Sequence, residues 1–86
     1  MTAEARDLLA WIVLSRVHDG GVTHLHGDYF DRNVLTPGYL AEPFARLADT
    51  GSLALADPDP TGRQQVTITD AGHARYTELR SAARDH

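Results

Sequence analysis

The chain contains no cysteine and no lysine. The first absence removes disulfide cross-links, a thiol nucleophile and every cysteine-based zinc site together. The second leaves arginine as the only permanently charged basic side chain. All eight basic residues are Arg, so a phosphate or a base edge must be met by a guanidinium, or by histidine at low pH. That usage, beside the abundance of Ala, Asp and Gly, also fits the codon bias of a GC-rich genome. Long apolar runs are missing as well. The longest, Leu8–Leu14, falls far short of the roughly 20 residues that span a bilayer, and no basic-then-apolar leader opens the chain. A glycine-rich phosphate loop, a nucleophile elbow and a catalytic carboxylate pair are absent too. The expectation is a non-enzymatic protein without a cofactor.

What is present is ordinary for a globular domain: 86 residues, 42% hydrophobic and 23% charged. A single cytoplasmic domain over residues 1–86 with one small core is expected. Twelve acidic residues against eight basic ones give −4, which argues against indiscriminate coating of nucleic acid or anionic membrane.

Periodicity predicts a first helix from Ala3 to about His18. Leu8, Trp11, Ile12 and Ser15 follow the i, i+3, i+4, i+7 spacing, and Leu9, Val13 and Val17 form the adjoining row. Asp19-Gly20-Gly21 stops it. Val22–Leu25 suits one short strand, and Gly27–Val34 two turns of helix. Thr36 as N-cap and Pro37 at the first helical position then signal a second clear start. Leu40, Phe44 and Leu47 recur along that helix to Thr50-Gly51, and Pro43 is expected to bend or split it. Two alternating segments, Ser52–Ala56 and Arg63–Thr69, flank a Pro/Asp/Gly cluster and read as a hairpin with a long tip. Thr69-Asp70 cap a last helix whose apolar stripe is His73, Tyr76, Leu79 and Ala83.

This order of elements resembles a winged helix-turn-helix domain. Leu35-Thr36-Pro37-Gly38-Tyr39-Leu40, followed by Arg46-Leu47-Ala48-Asp49-Thr50-Gly51-Ser52-Leu53, is similar to the recognition helix and its exit in PadR-type regulators. Asp57 to Gly72 resembles the wing and following helix start of MarR-type regulators. The resemblance covers about residues 35–80. It implies an α+β, mostly α fold: a three-helix core, a two-stranded wing hairpin and a C-terminal helix. It also implies a transcriptional regulator that binds double-stranded DNA as a homodimer, with helix 36–50 in the major groove and wing 57–64 in the minor groove.

Carried onto this chain, the DNA-facing set is Arg32, Thr36, Gly38, Tyr39, Glu42, Arg46, Arg63 and Gln64. Gly38, Ala41 and Ala45 keep the helix surface low enough to approach base edges. Thr36 and the free N–H groups behind it suit a phosphate. Arg63 takes the place of the wing arginine, with Gln64 beside it for phosphate or sugar. Other roles suit the same side chains. Tyr39 also fits packing against the base of the wing, Arg46 an ordinary pair with Glu42 or Asp49, and Arg63 and Arg32 a solvated position. Dimer contacts fall to Leu8, Trp11, Tyr76 and Leu79, with a plain core role open to Trp11.

Charge counts against DNA. Residues 36–50 and 57–65 each hold one arginine and two acids, where a phosphate-binding face is normally positive. The alternative function is a protein–protein interaction module without DNA binding. His24-Leu25-His26-Gly27-Asp28 is the one cluster with metal-ligand chemistry, but it signals no fourth ligand and its glycine suggests a turn, so no metal is expected.

Overall fold

In the computed structural model, which describes residues 3–84 with side chains from 4 to 82, three helices pack on a five-stranded antiparallel sheet. The order is α1 (Ala3–Asp19), β1 (Val22–Leu25), β2 (Asp28–Asp31), β3 (Val34–Leu35), a 3₁₀ turn (Gly38–Leu40), α2 (Ala41–Asp49), β4 (Leu53–Leu55), β5 (Gln64–Ile68) and α3 (Asp70–Arg84). Across the sheet the strands run β3-β2-β1-β5-β4.

This corrects the expected architecture. Among the described residues there is no three-helix core of the winged helix-turn-helix kind, and the sheet is larger than a two-stranded wing. The difference lies in Gly27–Val34, which forms strands in place of the expected helix. Two tight hairpins account for it. Leu25 pairs with Asp28 across His26-Gly27, and Asp31 pairs with Val34 across Arg32-Asn33. All four loop residues have positive φ: 50° at His26, 85° at Gly27, 52° at Arg32 and 66° at Asn33. Positive φ at both central positions is what a type I′ turn requires, and its twist matches that of the flanking strands.

The 36–50 segment is helical but starts later than its signals suggest. Thr36 is not a helix cap. It is buried, and both its backbone N–H and its hydroxyl donate to the Tyr29 carbonyl, at 3.0 and 2.9 Å. The 3₁₀ turn follows Pro37 without a side-chain cap. Pro43 does not break α2, because it is the third residue of that helix, where the N–H has no intrahelical partner to lose. The helix ends as expected at Gly51, φ +87°. Gly51 N–H donates to Ala48 O and Ser52 N–H to Leu47 O, the reciprocal pair of a Schellman cap.

The hairpin of β4 and β5 and the last helix lie where the sequence placed them. Leu53 pairs with Ile68 and Leu55 with Val66. Thr69 caps α3, its hydroxyl oxygen accepting from Gly72 N–H at 3.0 Å. The core fills the space between helices and sheet with Val13, Leu14, Val22, Leu40 and Phe44, all fully buried. Tyr29 stacks on Phe44 with ring centroids 4.4 Å apart. In the α3 stripe Leu79 is buried and Tyr76 half-buried, while His73 is exposed. The side chain of Ala83 lies outside the described residues.

Candidate functional site

The residues expected to face DNA are spread over three places and are largely engaged within the fold. Gly38, Tyr39 and Glu42 occupy the outer side of the 3₁₀ turn and α2. Tyr39 is 64% exposed, and no heavy atom lies within 4 Å of where a side chain on Gly38 would begin. Glu42 accepts from Arg46 Nη1 at 3.0 Å, one turn along, so the only arginine of this helix is neutralised by its neighbour. Thr36 is committed to Tyr29, as described above.

Arg63 and Gln64 sit at the start of β5 and are turned onto the sheet. Arg63 Nη1 donates to the Thr23 hydroxyl at 2.8 Å, and its guanidinium lies 5.3 Å from the Phe30 ring centroid. A cation over an aromatic face, hydrogen-bonded at one end, is held in place by both contacts. Gln64 Nε2 donates to Ala56 O at 3.0 Å, while its Oε1 lies 3.0 Å from His24 Nδ1. Arg32 is exposed in the β2–β3 turn.

The proposed dimer residues are used inside the chain. Trp11 stacks on Tyr76 at 5.1 Å, and Tyr76 stacks on His18 at 4.4 Å with the rings 5° from parallel. These rings hold α1 to α3, and Leu79 is buried. Leu8 alone of that set is mainly exposed, at 57%.

Ion pairs also hold Arg16 and Arg75. Arg16 meets Asp31 at 2.8 Å, and Arg75 meets Asp7 at 2.8 Å and Glu78 at 3.5 Å. Among the described side chains, Arg6, Arg32 and Arg80 are the arginines without a carboxylate or hydrogen-bond partner, and they lie on three different elements. His24, His26 and Asp28 are not gathered into a ligand set: among the described residues no group of three His, Cys, Asp or Glu side chains is placed to hold a metal ion. No helix among them is long and apolar enough to cross a membrane.

The feature that sequence reasoning missed is the β3 edge of the sheet. Val34 and Leu35 are 67% and 58% exposed on a strand that pairs on one side only. With Tyr39 they place three large, solvent-facing apolar side chains within six residues. The signal that was available is the pair of two-residue loops, His26-Gly27 and Arg32-Asn33, between β-forming residues.

Comparison of the chain with protein-family models, with curated proteins and with solved structures finds no match.

Proposed function

We propose that this chain is a protein-docking module, which presents the β3 edge and Tyr39 to an extended apolar segment of a partner protein. One observation carries this: Val34 and Leu35 stand exposed on a strand with one unpaired side, and Tyr39 stands exposed in the 3₁₀ turn that follows it. Such an edge adds a strand by main-chain hydrogen bonds, and the flanking apolar side chains supply burial. Large apolar residues exposed beside an open edge are costly to leave in water and favour an interaction site.

Double-stranded DNA is the less favoured partner. A phosphate-binding face needs cations that are free to meet phosphate, and here Arg46 is tied to Glu42 and Arg63 to Thr23 and Phe30. A second copy is less favoured as well, because two β3 strands meeting edge to edge share only a two-residue ladder. A partner segment meets the same short ladder but can add apolar contact with Tyr39 beyond it.

The test uses the intact chain and a Leu35→Ser/Tyr39→Ser variant, both checked for folding by circular dichroism. Affinity capture should recover one stoichiometric protein with the wild type, unaffected by nuclease, and none with the variant. Retention on duplex DNA at low salt, falling steeply as salt rises, would replace this function with nucleic-acid binding. A homodimer dispersed by the same two substitutions would replace it with self-association.

A further inference from the structure

We propose that the partner segment runs antiparallel to β3, bonds to it through the main chain of Leu35 alone, and is recognised by two consecutive apolar side chains. This rests on the docking function proposed above and specifies its register and the chemistry of the partner.

Residues that face each other across an antiparallel ladder alternate between hydrogen-bonded and non-bonded pairs. Asp31 and Val34 flank the two-residue Arg32-Asn33 turn and so form a bonded pair. Thr36 N–H donates to Tyr29 O at 3.0 Å, which marks the next bonded pair two residues on. Phe30 and Leu35, between these, are therefore a non-bonded pair, and the N–H and C=O of Leu35 point out from the free edge. The next outward position is Pro37. It has no N–H, and its carbonyl already accepts from Leu40 N–H at 3.0 Å. Proline closes the edge on that side and the turn closes it on the other, leaving one residue for a partner to bond. In an antiparallel pair a single partner residue exchanges both bonds with Leu35, whereas a parallel segment must place two residues to do so.

So short a ladder leaves recognition to side chains. Tyr29 stacks on Phe44 on the helix side of the sheet. Asp31 shares that side by alternation, and its pairing puts Val34 there too, while Leu35 lies with Phe30 on the opposite face. Val34 and Leu35 are both mainly exposed. A segment with one apolar residue facing Leu35 and the next facing Val34 covers both, whereas a strand of alternating polarity covers only one. A second copy of this chain is a poorer occupant. With Leu35 facing Leu35 across a two-fold axis, Val34 meets the polar, buried Thr36. Three exposed apolar side chains also fall well short of the ~800 Å² that each partner buries in a stable interface.

The probe is the blocked peptide acetyl-Ser-Thr-Leu-Val-Thr-Ser-amide, titrated into the isotope-labelled chain. Its leucine faces Leu35 and its valine faces Val34. Saturable shifts are expected at the Val34 and Leu35 amides, with slower hydrogen exchange at Leu35. N-methylation of the peptide's leucine should weaken binding about tenfold, the loss of one hydrogen bond. N-methylation of its valine, whose N–H points away from β3, should leave the affinity unchanged, and serine in place of that valine should lower it. A spin label at the amino end of the peptide should broaden Gly38 and spare Asn33; the reverse would overturn the antiparallel direction. If both N-methyl peptides bind as the parent does and Leu35→Ser/Tyr39→Ser still abolishes binding, the main-chain pairing is wrong while the docking function stands. Failure of the parent peptide to saturate at millimolar concentration would overturn the pairing too, and the capture experiment above decides the docking function separately. Protection of the Leu35 amide that grows with protein concentration in the absence of peptide would give the edge to a second copy.

Discussion

At the tip of the β4–β5 hairpin, Asp59 accepts from Thr61 N–H at 2.9 Å, from the Thr61 hydroxyl at 2.6 Å and from Arg63 N–H at 3.0 Å. The Thr61 hydroxyl, then the backbone N–H groups, favour the ionised carboxylate and hold Asp59 below its ordinary value. A lowered folded-state value means that the stabilisation is complete above the unfolded value and is lost as pH falls through the folded one. The tip should therefore loosen below about pH 4, seen as faster exchange of the Thr61 and Arg63 amides. Asp59→Asn should remove that acid dependence. Arg32 carries a different local cost, since a non-glycine residue at φ 52° is strained. Asparagine tolerates this region, so Arg32→Asn should raise stability by about 0.5–1 kcal/mol in chemical denaturation. Gly72 is fixed by close approach: a Cβ there would drive into the Ser52 carbonyl and press on Ile68. Gly72→Ala should cost about 1–3 kcal/mol, the range for overpacking.

The elements differ in how legible they were. α1 and α3 were readable because an apolar row at helical spacing and a terminal glycine or threonine cap each act locally. The β4–β5 hairpin was readable from its alternation and its Pro/Asp-rich tip. Asp28–Leu35 was not, because Tyr29, Phe30 and Val34 are too few and too close to fix a period. What decides there is tertiary: Tyr29 stacks on Phe44, and Thr36 closes on the Tyr29 carbonyl. The candidate site was less legible than the fold. Sequence gives Arg63 and Arg46 their charge but not their neighbours, Phe30 with Thr23 and Glu42, which decide whether that charge is free. Pro43 is the element-scale test. As the third residue of α2 it removes no hydrogen bond, so Pro43→Ala should leave the helical circular dichroism unchanged. It should still destabilise by about 1–2 kcal/mol, because the ring is fully buried and its stiffness restrains the unfolded chain.

For the whole molecule, the helices and the core side of the sheet consume most of the large apolar residues, and four of the seven arginines with described side chains, Arg16, Arg46, Arg63 and Arg75, are held by partners inside the fold. Three of the five large exposed apolar side chains among the described residues, Val34, Leu35 and Tyr39, remain at the β3 edge and in the 3₁₀ turn that follows it, with Leu8 and Leu55 apart from them in the chain. This distribution favours a protein partner over a phosphate backbone. Arg63→Ala should lower stability modestly, by exposing Thr23 and Phe30, without changing what the edge binds. The most direct measurement is capture of a partner by the folded wild type and by Leu35→Ser/Tyr39→Ser, each with nuclease and each against duplex DNA at low salt. The docking account predicts one nuclease-resistant protein lost with the two substitutions, and no DNA retained. Salt-sensitive retention of the duplex by both chains, weakened by Arg63→Ala, would contradict it.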